Sequence, residues 1–244
     1  MPFDSPRQPP ITVQSRPRVA PYQVDTTEHA FIAAVYRWMT LGLLVTAGVA
    51  WVFASSGMAL EMVRDHRMVF YVLMFAELGL VFAISAMVGR LSAPAAGGLF
   101  LLYSALNGLT LSTLLLVYAG ATVALAFGVT AATFGAMSVY GTVTRRDLTS
   151  WRSFLFMGLI GIVIASLVNM FLQSAMMDFI VSCAAVLVFT GLTAYDTQKL
   201  RAFARAGGAT MAAAPISGAL SLYLDFINLF LALLQLLGGG RRRQ

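Results

Sequence analysis

Three carboxylates of this 244-residue chain stand inside apolar runs: Glu77 in "FYVLMFAELGLVFAISAM", Asp196 in "GLTAYDTQKLR" and Asp225 in "LSLYLDFINLFLALLQLL". The remaining acidic residues, Asp4, Asp25, Glu28, Glu61, Asp65, Asp147 and Asp178, fall in the N-terminal segment or between the runs. An ionised aspartate at the centre of a membrane helix costs about 2.5–3.5 kcal/mol, so the two aspartates together cost about 5–7 kcal/mol unless the fold offsets them. Their spacing suggests how. The midpoint between Asp196 and Asp225 falls within "GGATM", so two antiparallel helices joined there would hold both carboxylates at one depth. Two carboxyl groups facing one another in a poorly hydrated site do not both ionise comfortably and tend to share a proton. Their titration then belongs to the pair, which makes it a candidate proton sensor or cation site. The plainer alternative is that each aspartate is neutralised by a nearby Arg, Lys or Asn and serves helix packing. Glu77 would add a third carboxylate toward calcium, which takes several oxygens from carboxylates, carbonyls and water. Asn107, Asn169 and Asn228 could add amide oxygens, although a membrane asparagine more often bonds a neighbouring helix backbone. Asp196, Asp225 and Glu77 are thus the candidate calcium ligands, although two carboxylates alone are too few for a tight calcium site.

The elements that must position these groups are membrane helices. With 59% apolar residues, 11% charged residues and a mean hydropathy of +0.81, the chain lies far outside the range of a soluble domain. Apolar stretches long enough to cross a ~30 Å hydrocarbon core at ~1.5 Å per residue fall near 31–55, 68–89, 95–118, 121–143, 153–174, 178–200 and 216–238. The fold class is therefore an all-α integral membrane protein of seven transmembrane helices, occupying 31–238. The first run is too long for a signal peptide and reads as a retained span. Residues 1–30 hold six of the eight prolines and read as a disordered cytoplasmic tail, and 239–244 as a short basic one. Cys183 lies in an apolar run and reads as filler. Small residues at Ala124, Gly128, Ala132 and Gly135 are expected to mark the packing face of the fourth helix.

Orientation follows from Lys and Arg on alternate loops. An N-terminus in the cytoplasm puts ten basic residues inside, among them Arg90, Arg145, Arg146, Lys199, Arg201 and Arg205, and five outside, three of which belong to "GGGRRRQ". Either seven spans leave that tail outside or the last segment is re-entrant; Ala219 to Leu237 alone gives about 28 Å of helix, which favours seven. The basic residues come in short clusters without interleaved aromatics, so they serve topology rather than nucleic acid.

"GLTAYDTQKLR" followed by "SGALSLYLDFINLFLALLQLLG" resembles the paired C-terminal motifs of the Bax inhibitor family. "VYRWMTLGLLVTA" in the first helix and "AELGLVFAIS" in the second extend the resemblance from about residue 28 onward. It implies a bundle around a central seventh helix and a pH-sensitive calcium leak controlled by Asp196 and Asp225, with Glu77 matching the acidic residue of the second helix. Arg90 is the candidate for the arginine that engages the pair in the closed state. The partners implied are the lipid bilayer and permeant calcium, with no cofactor. Short loops and a tail lacking an organelle-retention signal suit a bacterial inner membrane.

Two other classes compete. The resemblance extends to bacterial relatives associated with a membrane-anchored quality-control protease, and a regulator of that kind would use residues 1–30 as its partner surface. An intramembrane aspartyl protease would also pair two aspartates, and Tyr195-Asp196 fits its first motif. Its second needs Gly-x-Gly-Asp, whereas "LYL" precedes Asp225, and no His-Glu-x-x-His or Gly-x-Ser-x-Gly is present. The expectation is a non-enzymatic protein.

Overall fold

The computed structural model describes residues 21–65, 67–87 and 90–239. These form helices α1 (Pro21–Ser55), α2 (Met58–Asp65), α3 (Arg67–Met87), α4 (Ala93–Ser112), α5 (Leu114–Val117), α6 (Gly120–Val143), α7 (Arg152–Leu172), α8 (Ala175–Arg205) and α9 (Ala214–Gly239). Two 3₁₀ turns, Leu148–Trp151 and Gly208–Thr210, lead into α7 and α9. No strand occurs among the described residues.

Among the described residues, six helical segments are long and apolar enough to cross a membrane: 26–55, 93–117, 120–143, 148–172, 175–205 and 214–239. The second expected span, 68–89, corresponds to α3, whose described apolar part, Val72–Ala86, is shorter. Six of the seven spans read from the sequence are therefore found among the described residues. The chain begins its first helix earlier than expected, because residues 21–30, placed in the tail, form the first turns of α1. Residues 1–20 and 240–244 lie outside the described residues. The joint "SSGMALEMVRDHR" holds a further helix, α2, which turns Ala59 and Met62 inward.

Local chemistry starts and stops the helices. The Ser92 hydroxyl accepts from the Ala95 amide and Ser174 from Met177, each capping a helix N-terminus. Gly57 (φ 82°) and Gly207 (φ 90°) take the left-handed backbone that ends α1 and α8. Asn169 braces the α7–α8 turn. Its amide donates to the Asp178 carboxylate at 2.6 Å and to the Ser174 carbonyl, while its side-chain oxygen accepts from the Ser174 amide.

α9 packs against α1, α3, α4, α6 and α8. It is the most enclosed of the six: 56% of its apolar window is buried, against at most 33% elsewhere. Large apolar side chains such as Phe82, Phe154, Phe171 and Leu187 point outward instead, as lipid-facing surfaces require. Helices approach closely where Gly108 lies against the backbone of Thr46 and Gly141 against that of Ala194. The small residues singled out on α6 do not pack. Ala124, Gly128, Ala132 and Gly135 are exposed, and a Cβ at either glycine would meet nothing within 4 Å. The buried face of α6 is Thr122, Ala126, Thr130, Phe134 and Ser138, a four-residue repeat carrying hydroxyls. Thr130 satisfies its own hydroxyl on the Ala126 carbonyl, so its burial leaves no donor unpaired.

Candidate functional site

Asp225 is 5% exposed, set in the enclosed middle of α9 between Tyr223 and Phe226. Asp196 lies nine residues before the end of α8 and Asp225 eleven after the start of α9. At 1.5 Å per residue Asp196 lies about 14 Å from the end of α8 and Asp225 about 17 Å from the start of α9. The two helices that carry them pack on one another. Lys199 reaches Asp196, with Nζ 3.9 Å from Oδ1, but its side chain is 60% exposed and the pair is correspondingly screened. One oxygen of Asp225, Oδ2, is buried without a hydrogen-bond partner. The other buried side-chain oxygens in that condition among the described residues are Ser138 on α6 and Thr190 on α8. All three belong to the group of α6, α8 and α9, which pack on one another.

Glu77 stands apart from this pair. It accepts from Asn107 Nδ2 at 3.2 Å and from the Thr110 hydroxyl, both on α4. Tyr223, fully buried on α9, donates to Asn107 Oδ1 at 3.1 Å and shares a 2.6 Å bond with the Thr46 hydroxyl of α1, which also reaches the Ser104 carbonyl. Phe100 and Tyr103 meet the Tyr223 ring edge-on. Tyr223 and Asp225 are two positions apart, which is about 200° around a helix. α9 thus presents one polar group to the α1–α3–α4 side and the other toward α8. The calcium set of Asp196, Asp225 and Glu77 does not assemble: Glu77 bonds to α4, and among the described residues no three His, Cys, Asp or Glu side chains gather as a metal site. Asn107 is a network residue, and Asn228 donates to the Leu224 carbonyl of its own helix. Arg90 is exposed in the turn before α4 and makes no ion pair among the described residues, so it does not engage the aspartates in this conformation.

One site was missed in the sequence. Glu28, 3% exposed on the first turns of α1, accepts from Arg201 Nε at 2.5 Å and from Arg205 at 2.6 and 3.2 Å. Arg201 also donates to the Thr142 carbonyl of α6. The two arginines are four apart on α8 and so share a face, which was the available signal. Their acceptor lies 173 and 177 residues away, which local spacing does not reveal.

Residues 28–242 match the family model described as "Inhibitor of apoptosis-promoting Bax1". The chain belongs to this Bax inhibitor family. Among its relatives, the "Inner membrane protein YbhL" of Escherichia coli K12 is 50% identical over 215 residues, covering 86% of this chain and 92% of that protein. An "Uncharacterized protein" of Deinococcus radiodurans is 46% identical over 229 residues, 92% of this chain and 97% of that one. An "Uncharacterized membrane protein" of Streptococcus pyogenes serotype M1 is 40% identical over 219 residues, 88% and 95% of the two chains. The Bax inhibitor match takes in Glu28, Glu77, Arg90, Asn107, Asp196, Asp225 and Asn228 alike.

Proposed function

We propose that this chain is a calcium-permeable leak pathway of the bacterial inner membrane, opened and closed by protonation of Asp196 and Asp225. The observation that carries the reading is the unpartnered Asp225 Oδ2, buried on the most enclosed helix, against which the Asp196-bearing α8 packs. A buried carboxyl oxygen without a donor is costly to leave so, and a shared proton or a passing hydrated cation supplies what it lacks. Ser138 and Thr190 offer further unpaired oxygens along the same three helices for such a path. The pair gates rather than stores calcium, since two carboxylates make too weak a site to retain the ion. In this reading α3 crosses as well, giving seven crossings around α9. The end bearing Arg145, Arg146, Lys199, Arg201 and Arg205 then faces the cytoplasm with the N-terminus. The printed name of the Escherichia coli relative supports the inner-membrane location. The chemistry is passage of an ion, without a reaction.

The test is calcium efflux from proteoliposomes scanned across pH, with wild type beside Asp196→Asn and Asp225→Asn. A leak above that of empty vesicles, whose pH profile flattens in either variant, supports the gate. A leak with the same profile in both variants removes the aspartates from the mechanism.

A further inference from the structure

Two cavities share Tyr195 as a wall, at the end of the bundle where α6 and α8 finish. The first is a cleft of about 620 Å³ lined by Arg145, Arg146, Lys199, Arg201 and Arg205, with Asp147 the single carboxylate among its walls. Asp147 is already engaged: it accepts from the Thr149 amide at 2.9 Å, and hydrogen bonding from Thr149 holds its carboxyl below the usual aspartate value. Arg201 and Arg205 face Glu28, and Lys199 lies beside Asp196. The side chains of Arg145 and Arg146 are exposed and make no ion pair among the described residues. The second cavity, about 320 Å³, is walled by Tyr140, Leu148, Trp151, Leu155, Ala194 and Tyr195 and is almost wholly apolar. Tyr140 and Trp151 are exposed on it at 42% and 55%, the residue types that settle at the level of lipid headgroups.

We propose that these neighbouring cavities bind one anionic phospholipid, its phosphate in the arginine cleft and the start of an acyl chain in the apolar groove. A phosphate alone would need only the first cavity. A basic cleft and an apolar slot on either side of Tyr195, at the ends of membrane helices, suit the two parts of an amphiphile, and basic pockets between membrane helices hold such headgroups. Arg145 and Arg146 are the free cations that neutralise the headgroup. The loop bearing them is held through other groups: the Arg146 carbonyl accepts from Gln198 at 2.9 Å and its amide donates to Thr144. Replacing the two side chains therefore leaves that framework standing.

The experiment is thermal unfolding of the purified full chain in detergent, titrated separately with phosphatidylglycerol, phosphatidylcholine and soluble glycerol phosphate. Phosphatidylglycerol is expected to raise the unfolding temperature saturably, and the other two are not. Arg145→Gln/Arg146→Gln is expected to weaken phosphatidylglycerol roughly 30-fold, the value of two interfacial cations, while Arg145→Lys/Arg146→Lys keeps most of the affinity. Equal stabilisation by phosphatidylcholine, an unweakened response in the glutamine variant, or glycerol phosphate acting as well as the lipid would each overturn the proposal, the last in favour of a soluble phosphate compound. Should the glutamine pair not fold, Arg145→Gln alone carries the comparison, with a loss of about fivefold expected from one cation and no loss overturning it.

Discussion

Removing the Glu28 carboxylate should loosen the end of the bundle that holds α1 to α8. Glu28 is 3% exposed and accepts three hydrogen bonds from two guanidinium groups. A hydrogen bond to a charged group contributes about 1.5–3 kcal/mol, and breaking a buried pair leaves the remaining charge uncompensated. Solvent recovers part of this, because the Arg205 side chain is 56% exposed and that of Arg201 is 22% exposed. For Glu28→Ala the net loss is about 2–3 kcal/mol, which in a chain of this size lowers the unfolding temperature by about 4–12 °C. Arg201→Gln should cost more than Arg205→Gln, since Arg201 is the more buried and also donates to Thr142 on α6. A double-mutant cycle between positions 28 and 201, followed by thermal unfolding in detergent, isolates the contact and should give a coupling of at least about 1 kcal/mol. A Glu28→Ala protein that unfolds within about 1 °C of wild type, or a coupling near zero, would refute the clasp.

The close contacts and the second polar site make their own demands. Gly141→Ala puts a methyl group against the Ala194 carbonyl, a backbone atom that has no rotamer to escape into, and should destabilise by about 1–3 kcal/mol. Gly128→Ala on the same helix faces open space and should change stability by less than about 0.5 kcal/mol; similar unfolding temperatures for both would contradict the packing described. Tyr223→Phe keeps the ring contacts with Phe100 and Tyr103 but strips a hydroxyl from between Asn107 and Thr46, at a cost of about 1–3 kcal/mol in the same assay.

What the sequence disclosed and what it hid divide along a physical line. Apolar length reports depth, so six of the seven expected spans reappear among the described residues. It says little about direction around a helix axis. Glu77 therefore joined the aspartates on paper, whereas Asn107 and Thr110 hold it on the other side of α9. The same blindness misassigned the faces of α6. Gly128 and Gly135 looked like packing residues, while the hydroxyls of Thr122, Thr130 and Ser138 were the better guide, because a membrane helix turns polar atoms toward protein rather than lipid. Glu28 escaped because an acidic residue next to a proline-rich segment carries no mark of burial, and its two arginines lie at the far end of the chain.

A proton shared by Asp196 and Asp225 is what the proposed gate requires, and infrared titration of the reconstituted protein tests for it most directly. The account expects a protonated-carboxyl band that titrates over the pH interval in which the calcium leak changes and that is lost or moved in Asp225→Asn. A band that titrates elsewhere, or that persists unaltered in both Asp196→Asn and Asp225→Asn, would contradict it.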